Sequence, residues 1–148
     1  MVDPKTRSRQ RSGGQRAAKK PHKKITLYLD ESFDCNEVKQ QLDKARVRYH
    51  VYSDHFKTGT SDPEILKLAG RKGWVMLTLD RQNRRREVER KAVEVFKVKQ
   101  FVFAANLGAF KLAQVLVEAL PKIRKFCHDN APPYIAVITT SGQIERRL

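Results

Sequence analysis

Short apolar runs recur along the chain from residue 25 onward and predict β-strands. These runs lie at 25–29, 47–52, 74–79, 98–104 and 134–140. In the second run, Val47, Tyr49 and Val51 alternate with polar residues, as on a strand with one buried face. The third run is almost continuously apolar, which is typical of a strand covered on both faces.

Between these runs the apolar residues recur at helical spacing. The predicted helices are a stretch containing Val38, Leu42 and Ala45, a stretch beginning at Asp62, and two longer stretches at 84–95 and 109–129. Asp62 suits the N-cap position and Pro63 the first helical position. Pro121 lies inside the last stretch and predicts a bend or break there.

This order of elements predicts an α/β fold. Repeating units of strand then helix favour a parallel sheet, here of about five strands, with helices on both faces. Ligands of such sheets bind beyond the carboxyl ends of the strands, where the strand order reverses. A flavodoxin-like order would place the first and third strands side by side at that point. The length of 148 residues suits one domain, which we predict over residues 25–148.

The first 24 residues differ from the rest of the chain in charge. They hold nine Lys or Arg residues against a single acid, Asp3, in a chain whose net charge is +15. With almost nothing apolar after Val2, this segment is predicted to be a disordered basic tail. Such tails favour nucleic acid or another polyanion, and a solubilising tail without a dedicated partner is the alternative.

Several classes of protein are disfavoured by missing patterns. No apolar run reaches the ~20 residues that a membrane span needs, and the N-terminus does not resemble a secretory signal. Cys35 and Cys127 favour reduced thiols in a cytoplasmic protein. A haloacid-dehalogenase-type phosphatase needs an Asp where Ser32 stands, and no P-loop motif is present.

Carboxylates end two of the apolar runs. The first run stops at Asp30 and Glu31, and the third stops at Asp80. On neighbouring parallel strands, such carboxylates would lie about one strand spacing apart, ~4.8 Å. They would repel each other unless a cation lay between them, and Mg²⁺ prefers oxygen ligands of this kind. A metal-dependent enzyme acting on a polyanion is the first interpretation.

Two further groups lie near these carboxylates in the sequence. Asp62 and Glu64 stand at a helix start, where capping and the helix dipole explain acids as well as metal binding does. Arg81, Arg84, Arg85 and Arg86 follow Asp80. Their guanidinium groups suit bidentate phosphate contacts, although a solvated helix face is the simpler interpretation.

Four segments together resemble a known family. They read LYLDE, SDPEILKLAGRKGWVMLTLDR, FVFAANLGAFKLAQVLVEALPKI and PPYIAVITTSG. They resemble the PIN-like domains of VapC-type toxins, in the branch with a D-x-E-I helix start and an LT-x-DR strand end. The resemblance covers residues 25–148. It implies a Rossmann-like sheet, Mg²⁺ or Mn²⁺ as cofactor, and endoribonuclease activity restrained by an antitoxin. Related toxins commonly dimerise, so a homodimer is one option, and the sequence leaves the oligomeric state open.

The resemblance also implies a set of site residues. The expected catalytic carboxylates are Asp30, Glu31, Asp62, Glu64 and Asp80, of which Asp30, Asp62 and Asp80 would hold the metal. Many relatives carry another Asp after the fourth strand, where this chain has the neutral Asn106. Asn106 and the four arginines would contact RNA. The alternative is a PIN-like domain with weak or no turnover that binds RNA or a partner protein.

Overall fold

The computed structural model describes residues 24–55, 62–79 and 86–148. At Asp62 and Arg86 it describes the backbone alone. The predicted basic tail up to residue 23, Asp80 and the run from Arg81 to Arg85 therefore lie outside the described residues.

The described elements follow the predicted order. The strands are β1 (Thr26–Leu29), β2 (Arg48–Val51), β3 (Val75–Leu79), β4 (Lys99–Phe103), β5 (Tyr134–Ile138) and β6 (Ile144–Arg146). The α-helices are α1 (Asn36–Lys44), α2 (Asp62–Lys72), α3 (Arg86–Phe96) and α4 (Ala109–Asp129). Single 3₁₀ turns at Glu31–Phe33 and Tyr52–Asp54 follow β1 and β2.

The strands form one mostly parallel sheet in the order β2-β1-β3-β4-β5-β6. The predicted pairing of the first and third strands is confirmed, since Leu27 pairs with Val75 and Leu29 with Leu77. The chain order reverses between β1 and β3, so a switch point lies at the end of these two strands. We call the edge where the five parallel strands end the carboxyl edge.

The sheet has one strand more than the five that the apolar runs predicted. β6 pairs antiparallel with β5, with Ile138 opposite Ile144. It has three residues, of which Ile144 is half-buried while Glu145 and Arg146 are exposed. A strand this short and polar has no apolar run to mark it, because its pairing with β5 rather than its own burial defines it.

Two apolar layers lie on opposite faces of the sheet, as expected for helices on both sides. The α1–α4 face contains Leu29, Leu77 and Phe103 together with buried residues of α1 and α4. The α2–α3 face contains Tyr28 and Met76 together with buried residues of α2 and α3. Alternating strand residues therefore belong to different layers.

A bend or a break was predicted at Pro121. The break does not occur, and α4 is one helix from Ala109 to Asp129. Pro121 is exposed, whereas Leu120 and Ile123 beside it are buried in the α1–α4 layer. Packing on both sides of the proline holds the helix together despite one missing backbone donor.

Across the described ranges, no helix combines the length and the apolar character that a membrane crossing requires.

Candidate active site

Strand register places three polar side chains on the α2–α3 face, two of them near the carboxyl edge and Gln100 one row further into the sheet. Met76 of β3 lies between Tyr28 of β1 and Gln100 of β4 in the register. Asp30 and Thr78 each follow two residues after a member of that row, so they point to the same face. Asp30, Thr78 and Gln100 are the three polar or charged residues of the described chain that are almost fully buried.

The backbone of Asp30 is fixed from both sides. Its N–H donates to the Leu77 carbonyl at 3.1 Å, which extends the pairing of β1 with β3 by one residue. Its carbonyl accepts from the Phe33 N–H at 2.8 Å and so begins the 3₁₀ turn. Phe33 is fully buried and packs edge-on against Phe103. The sheet and this turn together set the direction of the Asp30 side chain.

Two hydroxyl groups hold the Asp30 carboxylate. Oδ2 accepts a hydrogen bond from Ser32 Oγ at 2.9 Å and another from Thr78 Oγ1 at 3.3 Å. The residue is 7% exposed. Buried charges require such polar partners, because they have given up most of their hydration.

A small polar cleft opens beside this carboxylate. We use the name polar cleft for the space lined by Asp30, Ile65, Leu66, Met76, Thr78, Glu89 and Gln100. Its cavity volume is about 10 Å³, close to the space that one water molecule needs. Its walls combine apolar side chains from α2 and β3 with oxygen-bearing side chains from β1, β3, β4 and α3.

Gln100 and Glu89 form a pair within the cleft. The Gln100 Nε2 donates to Glu89 Oε1 at 3.0 Å, while Gln100 Oε1 is buried and has no hydrogen-bond partner in the described part of the protein. Gln100 is only 3% exposed, and Glu89 is half-buried on α3. Most buried polar atoms in proteins are satisfied, so this amide oxygen needs an explanation.

The other predicted site residues do not line the cleft or lie outside the described residues. Glu31 is exposed in the 3₁₀ turn, Glu64 is exposed in the first turn of α2, and Asn106 is exposed between β4 and α4. None of these three lines the cleft. The backbones of Asp62 and Arg86 begin α2 and α3, whereas Asp80, Arg81, Arg84 and Arg85 are not described.

Sequence reasoning missed Thr78, Glu89 and Gln100. The available signal was that Thr78 and Gln100 are polar residues inside apolar strands, where alternate residues share one face of the sheet. Once the register is known, both point to the face of Asp30. Glu89 gave no comparable signal, because an acid in a charged helix is ordinary on a solvated surface.

The oxygen atoms of the cleft suit a hard divalent cation, but they form an incomplete carboxylate set. Asp30 and Glu89 offer carboxylates, Gln100 an amide oxygen and Thr78 a hydroxyl, and such oxygens are typical ligands of Mg²⁺ and Mn²⁺. Within the described ranges, no group of three or more His, Cys, Asp or Glu residues is placed to hold a metal ion. A fuller set would need Asp62 or Asp80, whose side chains are not described.

A separate aromatic cluster lies on the same face at the edge strand β2. His50 stacks on Trp74 with ring centroids 4.4 Å apart, and His50 Nδ1 lies 3.0 Å from His55 Nε2. Burial lowers the pKa of His50, the neighbouring His55 adds to this shift, and Asp54 opposes it. None of these residues lines the polar cleft. The cluster therefore stands apart from the candidate site.

Comparison with known proteins identifies the family. A family model described as a PIN-like domain matches residues 26–105, which is more than half of the chain. The chain therefore belongs to the PIN-like domain family. PIN-like domains are generally nucleases, so the fold is of a nuclease type, and the match spans every residue that lines the polar cleft. No curated protein and no solved structure gives a significant match to the chain.

Proposed function

We propose that this protein is a metal-dependent endoribonuclease that hydrolyses RNA phosphodiester bonds. The observation that carries this proposal is the Asp30 carboxylate, which is 7% exposed and held by two hydroxyl groups at the switch point of a PIN-like sheet. Ligands of parallel sheets bind at this place. A carboxylate at this place is a ligand of the kind that Mg²⁺ and Mn²⁺ prefer.

Asp30, together with Asp80 and Asp62, would hold Mg²⁺ or Mn²⁺. When bound, such a cation supplies charge neutralisation at the scissile phosphate and activation of a water molecule. The exposed carboxylates of Glu31, after β1, and Glu64, in the first turn of α2, would accept the proton of the attacking water. Hydrolysis of the phosphodiester by in-line attack follows from these roles.

Charge supports RNA as the substrate. The chain carries a net charge of +15, and Arg81, Arg84, Arg85 and Arg86 stand between β3 and the first turn of α3. Guanidinium groups bind phosphates in a bidentate manner, and the Asn106 amide at the rim adds a neutral donor. The resemblance to VapC-type toxins extends this proposal. In it the protein is the toxin of a toxin–antitoxin pair, binds an antitoxin and forms a homodimer. The two isolated cysteines add a cytoplasmic location to the proposal.

A second candidate function is an RNA-binding or protein-interaction domain with weak or no turnover. Asn106 stands where many relatives carry another acid, and it cannot contribute negative charge to a metal site. The described residues also lack a cluster of three carboxylates. Both observations are compatible with a site that binds RNA without cutting it.

Incubation of the purified protein with mixed RNA and Mn²⁺ tests the two functions. We expect cleavage that a chelator abolishes and that Asp30→Asn and Asp80→Asn each reduce by at least about a hundredfold, because even outer partners of metal ligands are worth 10–100-fold. Asp129→Asn is the matched control. Its carboxylate is exposed at the last turn of α4, far along the chain from the cleft, so this variant should cleave normally.

Two outcomes would count against the nuclease. Cleavage that survives chelation, or that survives both Asp30→Asn and Asp80→Asn, would show that a different group or a contaminant cuts the RNA. Binding of RNA by a folded wild-type protein without any cleavage would favour the second function.

A further inference from the structure

We propose that Gln100 is a positioning residue of the cation site, and that Glu89 orients it. In this proposal Gln100 Oε1 accepts a hydrogen bond from a water molecule in the hydration shell of the divalent cation held at Asp30. The inference rests on the proposed function, which it deepens by adding two residues that the sequence pattern did not indicate.

The hydrogen bond between the two side chains decides which end of the Gln100 amide faces the cleft. A carboxylate only accepts hydrogen bonds, so the Glu89 oxygen at 3.0 Å must face the amide NH₂ group. The amide oxygen is thereby the end of Gln100 that does not bind Glu89, and Gln100 itself lines the cleft. By binding the NH₂ group, Glu89 leaves Gln100 Oε1 as the atom that can accept a hydrogen bond.

No hydrogen bond among the described residues accounts for the burial of the Gln100 oxygen. The residue is 3% exposed, and its Oε1 has no hydrogen-bond partner among the described residues. Its neighbours along β4, Phe101 and Phe103, are fully buried and apolar. An apolar residue at this position would fill the same space without leaving a buried oxygen unsatisfied, which costs stability.

Register explains why the contact runs through water. Gln100 lies on β4 level with Tyr28, Asp30 follows β1 two residues further along, and β3 lies between them. Their backbones are therefore separated by about two strand spacings across the sheet, ~10 Å, and by two residues along it, ~7 Å. The two side chains cannot easily share one ion across this span. Mg²⁺ keeps several of its waters in proteins, and the cleft has room for about one water molecule.

Mn²⁺ binding to the full chain, measured by calorimetry at fixed pH, tests this inference. Gln100→Leu should weaken Mn²⁺ binding about tenfold or more, as removal of an outer partner of a metal ligand does. Its thermal unfolding midpoint should change little, because the variant loses both an unsatisfied oxygen and the hydrogen bond to the half-buried Glu89, two effects of opposite sign. Met76→Leu is the matched control, since Met76 also lines the cleft but offers no oxygen, and it should bind Mn²⁺ like the wild type.

A double variant tests the pairing. Glu89→Gln with Gln100→Glu keeps the charge and the hydrogen bond but exchanges the two partners, and it places a carboxylate oxygen where the amide oxygen was. We expect this variant to bind Mn²⁺ at least as tightly as the wild type. Weak binding by the exchanged pair would contradict the inference.

The failures of the two proposals are distinguishable. If the wild type does not bind Mn²⁺, or if Asp30→Asn binds it equally well, the metal-dependent function itself is wrong. If Asp30→Asn abolishes binding while Gln100→Leu preserves it, only the role of Gln100 is wrong. A fall in both the unfolding midpoint and the Mn²⁺ affinity of Gln100→Leu would assign Gln100 a structural role and overturn the inference.

Discussion

Hydroxyl groups, which are neutral, hold the carboxylate at the centre of the candidate site. Ser32 and Thr78 donate to the same oxygen of Asp30, and a hydroxyl donor fixes an anion without cancelling its charge. The polar residues of the α2–α3 face therefore divide into two kinds. Asp30 is the acid among them, and the neutral Thr78 donates to it, while the neutral Gln100 donates to Glu89.

His50 gives a pH dependence of stability that belongs to the aromatic cluster. Burial lowers the pKa of His50 below 6.5, and the nearby His55, Arg48 and Lys72 lower it further. Asp54 raises this pKa and so opposes the shift. The unfolded chain therefore takes up a proton before the folded protein does. The stability that depends on neutral His50 is complete above the unfolded pKa and declines as the pH falls through 6.5 towards the lowered folded value.

We expect the thermal unfolding midpoint of the wild type to fall between pH 7.5 and pH 5, and that of His50→Phe to fall less. The phenyl ring retains a surface that can stack on Trp74 but cannot be protonated. His128→Gln is the control, because His128 is exposed at the end of α4 and should leave the wild-type slope unchanged. Equal slopes for the wild type and His50→Phe would refute this assignment.

At the scale of elements, the local periodicity of apolar residues predicted those strands and helices that are defined by their own residues. The five parallel strands and four helices followed from periodicity, because each buries its own apolar residues. β6 was missed since it depends on β5, and the break at Pro121 was wrong because packing on either side outweighed one missing donor. The polar cleft could not be predicted, since side chains from three strands and two helices meet there and their register is not written in any one segment.

Gly70 controls how closely two of these helices approach. A Cβ at Gly70 of α2 would overlap the backbone carbonyl oxygen of Phe96 at the end of α3. Gly70→Ala should therefore force the two helices apart and cost about 1–3 kcal/mol of unfolding free energy, despite the better helix propensity of Ala. Urea unfolding measures this decrease, with Lys67→Ala on the exposed side of α2 as a control expected within about 0.5 kcal/mol of the wild type. A Gly70→Ala variant as stable as its control would show that α2 can shift without cost.

At the scale of the whole molecule, the net charge and its distribution along the chain can be read directly from the sequence. More than half of the net charge of +15 comes from the first 24 residues, so RNA affinity and RNA cleavage are expected to depend on different parts of the chain. Under the proposed function, the basic tail would speed the encounter with RNA through long-range attraction, whereas the polar cleft would act on the phosphodiester bond that breaks.

Deletion of residues 1–24 should reduce the salt dependence of RNA binding. For single strands, the slope of log K against log salt becomes shallower by about 0.7 for every phosphate that the protein no longer neutralises, and filter binding across a salt series measures it. A full-length variant with its nine tail Lys and Arg residues changed to Gln separates charge from length and should match the deletion. A slope identical to that of the wild type in both variants would leave the tail without a role in RNA binding.

The backbone hydrogen bond from Asp30 to Leu77 also limits how the length of this protein can change. Because sheet parity assigns each side chain to one face, a single-residue insertion in β1 would send Asp30 into the apolar layer beneath α1 and α4. A substitution changes one side chain of the site, whereas a single-residue insertion or deletion in β1 would move the Asp30 carboxylate away from the polar cleft altogether. Length variation should therefore accumulate in connections such as the one between β5 and β6, and the span from Thr26 to Asp30 should keep its count of residues.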